Sequence, residues 1–166
     1  MLYGAEPPAN WLQSNLKMIS PESEAAGAKG LGDMLQANGL SADLGPATGY
    51  ILKFTNGLVV YLSGDTGFTS DQDMVVRDYY HANLAVMNIG DVFTTGPREA
   101  AYVINEMVKP NEVILSHANE VGTQGGKVVA GSKTDAFIKT TKVSAHVPLS
   151  GRTMSFDASG RCVAGC

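Results

Sequence analysis

The sequence predicts an α/β fold, in which short buried strands alternate with helices along the chain. Three observations support this prediction. Runs of β-branched and aliphatic residues recur from residue 50 onward, segments with helical spacing of apolar residues separate them, and most of the 19 glycines lie beside strand ends or turns. This alternation is typical of a sheet layered with helices.

The composition is that of one globular domain with a hydrophobic core. The chain has 166 residues, of which 44% are hydrophobic and 17% charged, and such a composition argues against disorder. We expect a single domain over 1–166, with a weakly patterned segment at 1–44. In that segment, residues 16–19 are compatible with a strand, and residues 30–38 with a short helix that stops at Gly39.

Clear signals for turns and for helix boundaries begin at residue 50. An Asn-Gly turn, Thr55-Asn56-Gly57, joins two predicted strands in a hairpin, and a helix is expected from Ser70 or Asp71 to about Tyr80. Pro97 is placed to begin a later helix, and Pro110 lies beyond its end. The predicted elements are strands at 50–54, 58–63, 84–88, 112–116 and 143–147, helices at 97–108 and 134–140, and an alternating pair, Met154 and Phe156, before a turn at 157–160.

Two predicted strands are followed by residues of types that commonly serve as metal ligands. The apolar run 58–63 ends in Gly64-Asp65-Thr66-Gly67, and the run 112–116 ends in His117. A carboxylate and an imidazole at strand ends of one sheet indicate a divalent-metal site, with Thr66 bonded to the carboxylate or to a neighbouring loop. The alternatives are that Asp65 caps the following helix and that His117 is a structural residue.

Other polar residues are weaker candidates. His81 is expected at a helix end, where a cation suits the dipole, and His146 alternates with apolar residues in a strand, which favours a structural role. The loop 88–97 precedes a helix and offers backbone amides to an anion, or is an ordinary connection. Cys162 and Cys166 form a small disulfide ring, remain free thiols, or bind a metal as a pair.

The sequence excludes some classes of partner. The net charge of −4 leaves no basic surface for nucleic acid, and no apolar run approaches the ~20 residues that span a bilayer. The first eight residues lack the features of a signal peptide. We therefore expect no nucleic acid or membrane partner. The sequence does not fix the compartment, and it is compatible with a cytoplasmic or a periplasmic location.

Four ordered stretches resemble the metallo-β-lactamase fold superfamily, and within it the metal-dependent hydrolases that include ascorbate-phosphate lactonase-like proteins. The resemblance covers residues from about 45 to 147. The matching stretches are Gly45-Pro46-Ala47-Thr48-Gly49-Tyr50, Tyr61-Leu62-Ser63-Gly64-Asp65-Thr66-Gly67, Asn88-Ile89-Gly90-Asp91 with Phe93-Thr94-Thr95-Gly96-Pro97, and Ser116-His117.

The resemblance implies an αββα sandwich with its site at one edge of two sheets. It implies that Asp65 is the catalytic, metal-bridging carboxylate and His117 the last histidine ligand. The expected cofactor is a divalent metal, zinc or alternatively manganese or iron. The expected substrates are small molecules with an ester, lactone or phosphoester bond.

The sequence differs from the family in one motif. The family motif His-x-His-x-Asp-His, which supplies most of the first metal shell, is not in this sequence. We therefore expect the C-terminal half of the fold at 45–166, without its N-terminal half, and a chain that is incomplete or inactive as a hydrolase. Glu22, Glu24 and Asp91 are candidates to replace the missing ligands, and the sequence favours none of the three.

An uncovered half sandwich predicts an exposed apolar face. A homo-oligomer or another partner is expected to cover it. The alternative function is that of a non-catalytic fragment or decayed homologue, acting as an interaction or oligomerisation module. A third hypothesis is a metal-free binder of small ligands that uses the loop 90–97.

Overall fold

A computed structural model describes residues 33–34, 37–39, 46–91 and 94–166. The chain divides after Gly45, and the architecture below is that of the unit from Pro46 to Cys166. The predicted strand at 16–19 lies outside the described residues. In the predicted helix at 30–38, residues 33, 34 and 37 are helical and Asn38 is in a turn, and Gly39 follows with a φ of 62°. The expectation of one domain over 1–166 stays a prediction.

A five-stranded sheet forms the centre of the unit. Its order is β1-β2-β3-β4-β7, and all neighbours are parallel except the opening hairpin β1–β2. Two small antiparallel ribbons, β5–β6 and β8–β9, accompany it. The strands are β1 (Tyr50–Lys53), β2 (Val59–Leu62), β3 (Leu84–Asn88), β4 (Glu112–Ser116), β5 (Thr123–Gln124), β6 (Lys127–Val128), β7 (Ser144–His146), β8 (Ser155–Phe156) and β9 (Cys162–Ala164).

Four helical segments connect the parallel strands. They are α1 (Gln72–Arg77), α2 (Pro97–Tyr102), α3 (Val103–Val108), which continues α2, and α4 (Lys133–Thr140). Segments α1 and α3 are wide turns with i→i+5 hydrogen bonds, such as Asp78 N–H to the Asp73 carbonyl at 3.1 Å. Ser132 caps α4, because its hydroxyl accepts from the Asp135 N–H at 3.1 Å.

The helices cover one face of the sheet. Successive residues of a strand point to opposite faces, and the alternate residues Tyr61, Ala85, Met87, Val113 and Leu115 are buried in one cluster with apolar residues of all four helical segments. The fully buried Phe137 of α4 belongs to this core. The predicted α/β class is therefore confirmed, and the structure adds that the sheet is largely parallel.

The opposite face of the sheet is covered unevenly. Val60 and Leu84 are buried there, and the C-terminal ribbon lies close to Leu84, since a Cβ placed on Gly160 would come within 3.1 Å of the Leu84 Cβ. On the edge strand of the same face, Tyr50 is 60% and Leu52 43% exposed. The described residues thus include one large sheet whose second face carries exposed apolar side chains.

Candidate metal centre

The structure brings Asp65 and His117 together. Asp65 follows β2 and His117 follows β4, and β3 separates the two strands in the sheet. Because β2, β3 and β4 are parallel, their carboxyl ends meet at one edge, where ligands of α/β sheets commonly bind. The Asp65 Oδ1 lies 2.8 Å from the His117 Nδ1. The predicted neighbourhood of these two side chains is therefore observed, while their binding of a metal stays a prediction.

Both side chains of the pair remain accessible. The Asp65 side chain is 66% and the His117 side chain 37% exposed. A pocket of about 240 Å³ lies beside His117, and Glu120, Thr123 and Thr134 contribute to its wall. The pair is thus open to an ion and to a small molecule, unlike a structural histidine buried in a core.

Asn88, the last residue of β3, holds the loop that carries Asp65. Its fully buried amide donates to the Gly64 carbonyl at 2.7 Å and to the Thr66 carbonyl at 3.0 Å. Its oxygen accepts a hydrogen bond from the hydroxyl of Thr95. Asn88 therefore ties the Asp65 loop to the loop that precedes α2.

Ser63 and Thr66 complete the support of this loop. The buried Ser63 hydroxyl accepts from the Asn88 N–H at 2.9 Å. The Thr66 hydroxyl donates to the Ser63 carbonyl at 2.8 Å. The Thr66 hydroxyl thus bonds within its own loop, and the structure shows neither of the two partners predicted for it, the carboxylate or a neighbouring loop.

Gly90 sets the position of His117 from the other side. A Cβ at residue 90 would lie 2.6 Å from the His117 carbonyl oxygen and 2.9 Å from its Cδ2. His117 itself has a left-handed backbone with a φ of 49°, which is uncommon outside glycine and recurs at functional sites. A side chain at residue 90 would displace the imidazole.

Lys133, at the start of α4, links two further loops of this edge. Its ammonium donates to the Gly90 carbonyl, and its backbone N–H donates to the Glu120 carboxylate. The loop after β3 and the loop after β4 are thereby joined to the same helix. The sequence analysis did not identify the roles of Lys133 and Asn88. For Asn88 a signal was present, because it is a polar residue at the end of a buried strand.

The other residues considered as ligands either lie away from the Asp65–His117 pair or are bonded to other residues. His81 follows α1, and its N–H donates to the Arg77 carbonyl at 3.0 Å. His146 Nε2 lies 2.6 Å from Glu112 Oε2 in a half-buried pair between β7 and β4, as its structural interpretation expected. Cys162 and Cys166 form a disulfide, which is one of the three predicted alternatives.

The loop before α2 is described at residues 88–91 and 94–97. There, Asp91 N–H donates to the Thr95 carbonyl at 3.1 Å, so this amide is used within the loop. Asp91 has a left-handed φ of 65°, and its carboxylate lies near Gly96. Glu22 and Glu24, the other suggested ligands, lie outside the described residues.

The pair fits a divalent cation as two ligands of a larger set. Carboxylate oxygen and imidazole nitrogen are both common donors to zinc. Two ligands of one tetrahedral zinc stand roughly 3.4 Å apart at Zn–N and Zn–O bond lengths of about 2.1 Å, so small rotations of the side chains would accommodate an ion. Within the described ranges, no group of three His, Cys, Asp or Glu residues gathers.

Together, the sheet and the pair define an α/β protein with a carboxylate and an imidazole at the carboxyl edge of parallel strands. Its curated relatives are proteins called UPF0173 metal-dependent hydrolases. That of Roseiflexus sp. (strain RS-1) is 38% identical over 80 residues, which are 48% of this chain and 32% of the relative. That of Koribacter versatilis is 33% identical over 111 residues, 67% of this chain and 45% of the relative.

A third relative, from Chloroflexus aurantiacus, is 45% identical over 67 residues, 40% of this chain and 27% of the relative. The chain thus spans between about a quarter and a half of the length of these curated relatives. No family model matches the chain.

Two solved structures are similar to part of this chain. One is Igni18, a metallo hydrolase from Ignicoccus hospitalis, with a TM-score of 0.48, 24% identity, and coverage of 65% of this chain and 45% of that one. The other is the metallo-β-lactamase fold protein YhfI from Bacillus subtilis, with a TM-score of 0.44, 15% identity, and coverage of 66% and 50%. The UPF0173 metal-dependent hydrolase relatives, which match part of the chain, confirm the resemblance seen in the sequence.

No helix in the described parts of the chain is both long and apolar enough to cross a membrane.

Proposed function

We propose that this chain contributes Asp65 and His117 to the divalent-metal centre of a metal-dependent hydrolase. The observation that carries the proposal is the 2.8 Å approach of Asp65 Oδ1 to His117 Nδ1 from the ends of two different strands. The named function of the curated relatives supports it. Zinc is the proposed metal, with manganese or iron as alternatives, because the donors are a carboxylate and an imidazole.

Each residue at the edge has a role in this proposal. Asp65 and His117 hold the ion, Asn88 fixes the loop of Asp65, and Gly90 leaves room for the imidazole. When bound, a divalent metal supplies Lewis acidity toward the substrate and activates water. The pocket of about 240 Å³ beside His117 is where a small ester, lactone or phosphoester would lie next to the pair.

The proposal is tested by metal analysis together with a substrate panel. We expect purified protein titrated with Zn²⁺ to retain bound zinc after gel filtration, and the Asp65→Ala variant to lose it. His81→Ala is the matched control, since His81 lies at the end of α1. Hydrolysis of p-nitrophenyl acetate, a simple lactone and bis-p-nitrophenyl phosphate separates the three bond classes. Absence of retained metal in the wild type would refute the metal centre for this chain.

A second candidate function is that of an interaction or oligomerisation module. The observation that favours it is the exposure of Tyr50 and Leu52, at 60% and 43%, on the sheet face opposite the helices. Such a patch is a common site of association, and a second copy of the chain is the proposed partner. Sedimentation of the wild type should then reveal an oligomer that Leu52→Lys converts to monomers, whereas a monomeric wild type would refute this candidate.

A further inference from the structure

A cavity of about 580 Å³ lies between the hairpin β1–β2 and α1. Its volume is within the range of small-molecule binding sites. Much of its wall is apolar or aromatic, formed by Ile51, Tyr61, Val75, Val76 and Tyr80. Ile51 and Tyr61 are paired across the hairpin, so their side chains share the face of the sheet toward α1.

A buried hydroxyl group lies in this wall. Tyr61 is only 4% exposed, and its oxygen accepts a hydrogen bond from Gln72 Nε2 at 3.3 Å. Gln72 is itself fixed, since Nε2 also donates to the Gly67 carbonyl at 3.1 Å and Oε1 accepts from the Thr69 N–H at 3.1 Å. With Gln72 in this orientation, the Tyr61 oxygen can only accept a hydrogen bond from Gln72 and cannot donate to it.

The Tyr61 proton therefore has to go to another acceptor. Within residues 46–91 and 94–166, no side chain or carbonyl accepts it. Once a ligand displaces water from the cavity, a hydroxyl without an acceptor is unfavourable. The cavity supplies the space in which a ligand oxygen would accept this proton.

The charges around the cavity limit the kind of ligand. Lys53 lies two residues after Ile51 on the same side of β1, and Asp71 lies across from it just before α1. Neither has an ion-pair partner in the described parts of the chain. One charge of each sign makes the lining neutral, which favours an uncharged or singly charged ligand over a polyphosphate.

We propose that this cavity binds small carbonyl compounds with an apolar body. The carbonyl or carboxylate oxygen accepts from the Tyr61 hydroxyl, and the body packs against Ile51, Val75 and Val76. Thr66 and Gly67 line the same cavity and directly follow Asp65. A ligand held here therefore touches the loop of Asp65, although its binding does not require a metal.

The test uses phenylacetate and phenylacetamide as probes in a titration followed by amide chemical shifts. We expect millimolar binding with shifts confined to the residues that line the cavity. Tyr61→Phe keeps the ring but removes the donor, and should weaken binding about three- to tenfold. Tyr79→Phe is the matched control, because Tyr79 is 72% exposed and does not line the cavity.

A second variant protects the test against misfolding of Tyr61→Phe. Val75 is 40% exposed, so Val75→Trp can fill the cavity from its surface side, and should abolish binding. If the wild type prefers phenylacetate to phenylacetamide and Lys53→Met abolishes this preference, the site recognises a carboxylate. If the wild type binds both probes equally, the site recognises a carbonyl group. Absence of binding, or binding unchanged in both Tyr61→Phe and Val75→Trp, would overturn the proposal.

Discussion

The Asn88 side-chain amide donates to the Gly64 carbonyl oxygen at 2.7 Å, and so joins the end of β3 to the residue before Asp65. The amide is fully buried and reaches two further oxygens of the same loop, those of Ser63 and Thr66. The position of the Asp65 carboxylate therefore depends on a residue that does not itself face the candidate centre.

Replacing Asn88 should destabilise the fold and the candidate centre together. Asn88→Ala leaves the Gly64 and Thr66 carbonyls without this donor, and we expect a loss of about 2 kcal/mol in the free energy of unfolding. Asn88→Asp retains the oxygen that accepts from Thr95 but removes the donor, and should show a similar loss. Urea unfolding measures both. The exposed Gln124→Ala serves as control, and an effect of Asn88→Ala no larger than that of this control would contradict the assigned role.

Gly90 should prove necessary for the position of His117. In Gly90→Ala the new Cβ would meet the His117 carbonyl and ring, so we expect a destabilisation of about 2 kcal/mol and weaker metal binding. Gly67→Ala is a matched control, because no atom lies within 4 Å of a Cβ at that position. Calorimetric titration with Zn²⁺ compares the two variants. Equal zinc affinity in both would show that Gly90 does not position the imidazole.

The Glu112–His146 pair should be a major contributor to stability. Their side chains are 11% and 14% exposed, and Glu112 Oε2 also accepts from the Cys162 N–H at 2.9 Å. Glu112→Ala leaves the partly buried His146 ring and Cys162 N–H without this acceptor, and we expect a loss of about 2 kcal/mol in the free energy of unfolding.

The exposed Glu106–Lys142 pair provides the control for that experiment. Glu106→Ala should have no measurable effect on unfolding, because solvent screens such a pair. A double-mutant cycle of Glu112→Ala with His146→Ala should reveal coupling between the two side chains. Additive losses would mean that the contact itself contributes nothing.

Asp157 should stabilise the C-terminal ribbon β8–β9, and this stabilisation should be lost in acid. The Ser159 hydroxyl, together with the Arg161 N–H, lowers the pKa of the Asp157 carboxyl below its ordinary value. Because the folded-state pKa is the lower one, the contribution is present above the unfolded pKa and is lost as pH falls through the folded pKa.

An NMR titration of the Asp157 carboxyl measures this pKa directly. The Ser159→Ala variant should raise it, and Asp157→Asn should remove this part of the acid dependence of unfolding. An unchanged pKa in Ser159→Ala would refute the hydrogen bond as the principal cause.

Strong local signals explain how much of the fold the sequence could predict. Asn56-Gly57 indicated the hairpin β1–β2, and Pro97 and Pro110 bracketed the helical stretch of α2 and α3, as the structure confirms. The ribbon β5–β6 was missed because its strands have two residues each. The signal was present in Gly125-Gly126, whose φ values of 57° and 77° suit a two-residue hairpin turn.

The candidate centre was predictable only in part. Asp65 and His117 stand out because each lies just beyond the end of an apolar strand. Asn88 lies 24 residues from Gly64 along the chain, and the contact between them depends on how the parallel strands β2 and β3 align. Register of that kind arises from tertiary packing, which local patterns do not encode.

The central claim is that Asp65 and His117 hold the same ion, and a double-mutant cycle of zinc affinity tests it most directly. Calorimetric titrations would compare the wild type, Asp65→Ala, His117→Ala and the double variant, each checked for an intact fold by circular dichroism. We predict that each single substitution lowers zinc affinity at least about tenfold, since loss of only an outer-shell partner of a ligand already costs about that much, and that the double variant loses little more. Zinc affinity that is unchanged in the single variants, or losses that add fully in the double variant, would contradict a shared ion.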